Sequence, residues 1–97
     1  MITRIVRMTF DKDKVNDFKK VFKSVQSKIA NFPGCEEVNL YQEFEKENVY
    51  FTYSIWQSND ALQAYRSSPL FKDTWSRTKP LFIEKAQAWT LQKSAEA

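Results

Sequence analysis

The sequence predicts an α+β protein of ferredoxin-like fold: β-α-β-β-α-β, a four-stranded antiparallel sheet with its helices on one face. Three observations carry this expectation. Apolar residues recur at spacings of three and four from Val15 to Phe32, the period of a helix. Residues 2–10, 35–44, 49–56 and 82–92 alternate or are rich in β-branched and aromatic side chains, as strands are. Between the last two strands, Ser58 and the pair Ser68-Pro69 open two helical pieces. Right-handed crossovers in that order place both helical segments on the same side of the sheet.

In the first strand Ile2, Arg4, Val6, Met8 and Phe10 share one face, and Thr3, Ile5, Arg7 and Thr9 the other. Asp11 or Asp13 caps a helix, because a short carboxylate accepts from the free N–H groups of a first turn. This long helix gathers Val15, Phe18, Phe22, Val25, Ile29 and Phe32 on its apolar side, and Pro33-Gly34 stops it. Val38, Leu40, Gln42 and Phe44 alternate with Glu37, Asn39, Tyr41 and Glu43, and a polar hairpin loop occupies Glu45 to Asn48. Residues 49–56 make the strongest strand of the four. Ser58 caps the next helix with Asp60 in its first turn, where a negative charge meets the positive helix end. The second piece starts at Pro69 behind its cap Ser68 and runs to Lys79, before Pro80. In the last strand Ile83, Lys85, Gln87, Trp89 and Leu91 oppose Ala86 and Ala88. The sheet face turned away from the helices is expected to carry Thr3, Ile5, Arg7, Tyr50, Thr52, Ser54 and Trp56. That mixture is too apolar to stay wet, and a two-fold copy of the chain would cover it.

The chain of 97 residues reads as one domain, 1–92, followed by a frayed tail at 93–97. Its composition removes most catalytic kits. There is no histidine, which excludes Ser-His-Asp and Cys-His arrangements, histidine bases and histidine metal sites. A single cysteine, Cys35, excludes an internal disulfide and a four-thiolate zinc site. A single glycine, Gly34, excludes the loops that cradle phosphates. No metal and no cofactor is expected. No run approaches a membrane span, no signal peptide is visible at the start, and a cytoplasmic address is expected. The net charge of +3 permits an anionic partner without requiring one.

Lys12, Lys14, Lys19, Lys20, Lys23 and Lys28 stud the long helix, either as a phosphate-meeting patch or as its solvated back. The element order also occurs in RNA-recognition modules, but Tyr50 to Trp56 lacks their glycines and leading cation, so no nucleic acid is expected. Glu36 and Glu37 beside Cys35 make its thiol a poor nucleophile. The remaining candidates are aromatic. Phe18 and Phe22 share one helix face and Phe71 and Trp75 another; with Tyr53 and Tyr65 they either line a cavity for a flat ligand or fill a core. Arg66 stands where it can reach the mouth of such a cavity and stabilise an anion.

The stretch from Tyr53 through Trp56-Gln57-Ser58, Asp60-Ala61-Leu62 and Tyr65 to Ser68-Pro69-Leu70-Phe71 resembles the antibiotic biosynthesis monooxygenase family. That family carries a strand ending before Trp, a polar residue, Ser and an acidic-Ala-Leu helix, then a Ser/Thr-Pro-x-aromatic restart. Residues 2–34 are similar as well, through the strand, the long helix and a turn that here reads Pro33-Gly34-Cys35. The resemblance implies a dimeric α+β barrel in which two sheets pack face to face. It implies a cofactor-independent monooxygenase of small aromatic or quinol-like substrates, in which a substrate carbanion meets dioxygen directly. Tyr65 is then the candidate catalytic group, and Phe18, Phe22, Tyr53, Arg66, Phe71 and Trp75 are the candidate substrate contacts. Where many members carry histidine this chain has Tyr65 and Leu70. The positions of Asn, Trp and the axial His in the haem-degrading branch read Val6, Tyr65 and Trp75, so haem degradation loses its ligand. Without the imidazole, Tyr65 supplies a hydrogen bond or acts as a base of depressed pKa. The alternative is a non-catalytic small-molecule binding protein of the same fold.

Overall fold

A computed structural model describes residues 1–97. Four strands, β1 (Ile2–Thr9), β2 (Cys35–Gln42), β3 (Val49–Trp56) and β4 (Gln87–Gln92), form one sheet in the order β2-β3-β1-β4, all antiparallel. Three helices, α1 (Val15–Ala30), α2 (Asn59–Arg66) and α3 (Pro69–Thr78), lie on one face. This is the ferredoxin-like arrangement.

Local chemistry sets the helix ends. Asp11 accepts from the Asp13 N–H at 2.9 Å and opens a 3-10 turn at Lys12–Lys14 that leads into α1. Ser58 Oγ accepts from the Ala61 N–H at 3.1 Å, and Ser68 Oγ from the Phe71 N–H at 3.2 Å. Pro69 holds the first position of α3. The turn after α1 depends on Gly34, whose φ of +88° suits glycine. Gln57 donates its backbone N–H to the Gly34 carbonyl at 2.8 Å and ties this turn to the start of α2.

The core lies between helices and sheet. Met8, Phe10, Phe18, Phe22, Val25, Ile29, Val38, Tyr50, Trp56 and Leu62 are all buried there. Phe10 and Phe18 stack with ring centroids 4.2 Å apart.

Register corrects one expectation. Met8 pairs with Tyr50, Arg4 with Ser54 and Ile2 with Trp56, and directly paired residues share a face. Tyr50, Thr52, Ser54 and Trp56 therefore face the helices, whereas the sequence reading put them on the outer side. Trp56 is 1% exposed and gives its indole N–H to Ser54 Oγ at 2.9 Å. The outer face instead carries Phe51, Tyr53 and Ile55 beside Thr3, Ile5 and Arg7. From β4 it takes Trp89 and Leu91, from β2 Tyr41 and Asn39. Element boundaries also differ. The long helix ends at Ala30, short of Phe32, and β2 ends at Gln42 rather than Phe44. The last strand begins at Gln87, not at residue 82; before it, Phe82 makes only an isolated bridge with Phe10.

Candidate functional site

The helices do not close fully on the sheet. A cavity of about 330 Å³ remains between them, and thirteen of its nineteen lining residues are apolar. That volume lies at the small end of ligand sites. Its floor is made of modest side chains: Thr52 and Ser54 from β3, Val6 from β1, Ala88 from β4, with Ala86 just before it. Large residues at these inner-face positions would fill the space. Phe18 and Phe22 of α1, Leu62 and Tyr65 of α2, and Phe71 and Trp75 of α3 form the walls. Arg66 and Ala88 are the exposed members of the lining, and they mark the mouth.

The aromatic walls are joined ring to ring. Tyr65 stacks on Trp56 with centroids 4.9 Å apart and planes 24° from parallel, and meets Phe71 edge-on at 5.3 Å. Phe71 lies parallel to Trp75 at 6.0 Å, within 9°. Trp75 continues to Phe82 at 5.5 Å, and Phe82 to Phe10 at 5.3 Å. Each contact adds roughly 0.5 to 1.5 kcal/mol beyond its burial, so the wall is fixed rather than adaptable.

Six of the seven residues expected at a cavity are brought to it: Phe18, Phe22, Tyr65, Arg66, Phe71 and Trp75. Tyr53 is not. It points to the outer face of the sheet and meets Tyr41 edge-on at 6.2 Å. The period of two in β3 settles this, since Thr52 and Ser54 face the cavity and the residue between them must face away.

Three polar features shape the chemistry. Burial holds the Tyr65 phenol well above the ordinary tyrosine range, with the nearby Cys35 thiol adding to the shift. That direction favours Tyr65 as a protonated hydrogen-bond donor and runs against a base of depressed pKa. Arg4 also lines the cavity, half-buried on β1, and donates to Thr90 Oγ1 at 2.7 Å. Burial, and then the charge of Arg66, lower its pKa. Thr74 of α3 lines the wall with a buried hydroxyl that has no hydrogen-bond partner. No acidic side chain lines the cavity. No group of three or more potential metal ligands among His, Cys, Asp and Glu converges anywhere.

Arg4, Thr74 and Trp56 were not singled out from sequence. Arg4 had left a signal, a cation inside the alternation Ile2, Val6, Met8; Thr74 had left none. The Cys35 thiol is pushed up chiefly by burial; a hydrogen bond to the Glu37 carbonyl opposes this, and the charges of Glu36 and Glu37 add to it.

Residues 1–76 match the family model described as antibiotic biosynthesis monooxygenase. The chain belongs to that family. Solved structures agree in fold. A candidate antibiotic biosynthesis monooxygenase of Caulobacter crescentus is 26% identical over 96% of this chain and 89% of its own, with a TM-score of 0.89. A conserved protein of Methanosarcina mazei is 20% identical over 97% and 94%, with a TM-score of 0.91. A protein of Mycobacterium tuberculosis is 18% identical over 99% and 97%, at 0.89. No curated protein is significantly similar in sequence. The family match reaches into α3, so α1, α2 and the Phe71-Trp75 pair of this antibiotic biosynthesis monooxygenase domain all lie within it. No helix is long and apolar enough to cross a membrane.

Proposed function

We propose that this member of the family takes a flat aromatic or quinol-like molecule into the cavity and oxygenates it without a cofactor. The carrying observation is the enclosed aromatic wall around Tyr65, joined to two arginines and free of acidic groups. In such a reaction an activated methylene loses a proton and its carbanion passes one electron to dioxygen. The radicals combine to a hydroperoxide, which loses water and leaves a carbonyl. One oxygen atom ends in the product and one in water, and the substrate supplies every electron.

The chain's own part is electrostatic. Arg4 and Arg66 favour the anion, Tyr65 donates a hydrogen bond, and the rings of Tyr65, Phe71 and Trp75 orient the substrate and exclude water. No histidine or carboxylate lines the cavity to take the proton, so the substrate's own acidity must suffice. The same observation favours a second reading, a binding protein that performs no turnover.

Oxygen uptake with anthrone, which carries such a methylene, measured against its autoxidation, separates the two. Saturable uptake that falls in Tyr65→Phe supports the oxygenase. Uptake at the background rate while tryptophan fluorescence saturates with ligand supports binding alone. A second copy over the outer face belongs to the same reading, because Ile5, Phe51, Tyr53, Ile55, Trp89 and Leu91 form a patch of the kind that another chain covers.

A further inference from the structure

The chain has four arginines. Two of them are paired with carboxylates: Arg7 with Glu84 at 3.8 Å and Arg77 with Asp73 at 3.1 Å. Neither lines the cavity. The other two, Arg4 and Arg66, do line it, and neither has an acidic partner. Each gives one hydrogen bond to a neutral group, Arg4 to Thr90 Oγ1 at 2.7 Å and Arg66 to Gln63 Oε1 at 3.3 Å. A guanidinium has five donor hydrogens, so most of this capacity is unused.

Placing two like charges at one apolar cavity is costly, and Arg4 registers the cost, since burial and then Arg66 disfavour its charged form. A ligand anion would offset both effects. A carboxylate between the two guanidinium groups would reduce their combined charge from +2 to +1 and use the forked donors, whose geometry matches it.

The cavity's charged residues stand at one end only. Arg4, Val6 and Met8 line it in succession along β1, and four residues of strand span roughly 13 Å. Phe18 packs against Tyr50, the strand partner of Met8, at one end, and Arg66 stands near enough to Arg4 at the other to disfavour its charge.

We infer that the cavity prefers a flat aromatic ligand that carries a permanent anionic group, a carboxylate above all, held between Arg4 and Arg66 with its rings toward Met8 and Phe18. This rests on the reading of the cavity as a site for aromatic ligands and adds the charge that the ligand must bear.

Three probes of one shape test it: 2-naphthoate, neutral 2-naphthalenemethanol and cationic 2-naphthalenemethylamine, each titrated by calorimetry and tryptophan quenching. Naphthoate should bind at least tenfold more tightly than the alcohol, and the amine more weakly than both. Arg66→Gln should reduce the preference, and Arg4→Gln with Arg66→Gln should abolish it while leaving affinity for the alcohol within about twofold. Lys20→Gln with Lys23→Gln removes the same charge from the exposed back of α1 and should leave the preference intact. Equal binding of naphthoate and alcohol overturns the inference and leaves the aromatic cavity standing. A preference that survives loss of both arginines, or disappears with the two lysines, also overturns it. If no probe binds, the reading of the cavity fails and this inference with it.

Discussion

Gly34 and Ala61 are packed so closely that a Cβ on Gly34 would lie 2.4 Å from the Ala61 Cβ. Ala61 is one helical turn before Tyr65, so this contact seats the helix that carries the central ring of the cavity wall.

Gly34→Ala is therefore expected to lose stability twice, through the clash and through its φ of +88°. The two together should cost about 2 to 4 kcal/mol. Adding Ala61→Gly removes the clash and leaves the backbone strain, so the double variant should recover part of the loss. Denaturant midpoints of the single and double variants check this.

Tyr65 should produce an alkaline loss of stability. Its folded pKa is raised above the unfolded value, so the folded state keeps its proton longer. Its contribution is complete below about pH 10 and falls as pH rises beyond that, by up to about 1.4 kcal/mol per pH unit. Tyr65→Phe should abolish that component while changing neutral-pH stability by no more than about 1 kcal/mol. Unfolding curves of both proteins from pH 8 to 11 show the difference.

Thr74→Val replaces the unpartnered buried hydroxyl with a methyl of the same shape. The variant should be more stable than the parent by about 1 kcal/mol, because an unsatisfied buried group is removed. If the hydroxyl serves a ligand, naphthoate affinity should fall at the same time. Thermal melts with and without naphthoate measure both.

Ile55→Lys puts a charge on the outer face of the central strand. Light scattering should find the parent near twice the chain mass of 11.5 kDa and the variant near that mass itself. A parent that runs as a monomer would defeat the paired arrangement.

Sequence carried the local features well. Ser58, Ser68 and Pro69 cap and start their helices as read, because capping is decided within one turn of chain. The face of β3 was not legible. Both of its faces are apolar or aromatic, so alternation reveals two sides without saying which is inner. The set Val49, Phe51, Tyr53 and Ile55 is the more uniformly apolar, yet Phe51, Tyr53 and Ile55 face outward. Pairing of Met8 with Tyr50 and Ile2 with Trp56 decides the matter, and pairing is long-range. Arg4 was not singled out because its alternation was visible but the gap above it exists only once α2 and α3 are docked.

The same two-sided strand has a bearing on how the chain is made. Residues 49–56 contain no charge, no proline and no glycine, the composition of a segment that aggregates when its edges are open. In the sheet its neighbours are β1 and β2, and both precede it in the chain. As β3 leaves the ribosome, each of its edges already has a partner synthesised and waiting. The hazardous segment can be closed on both sides before β4 exists, and the last strand to appear, Gln87–Gln92, is left with the safer task of pairing at the sheet's rim.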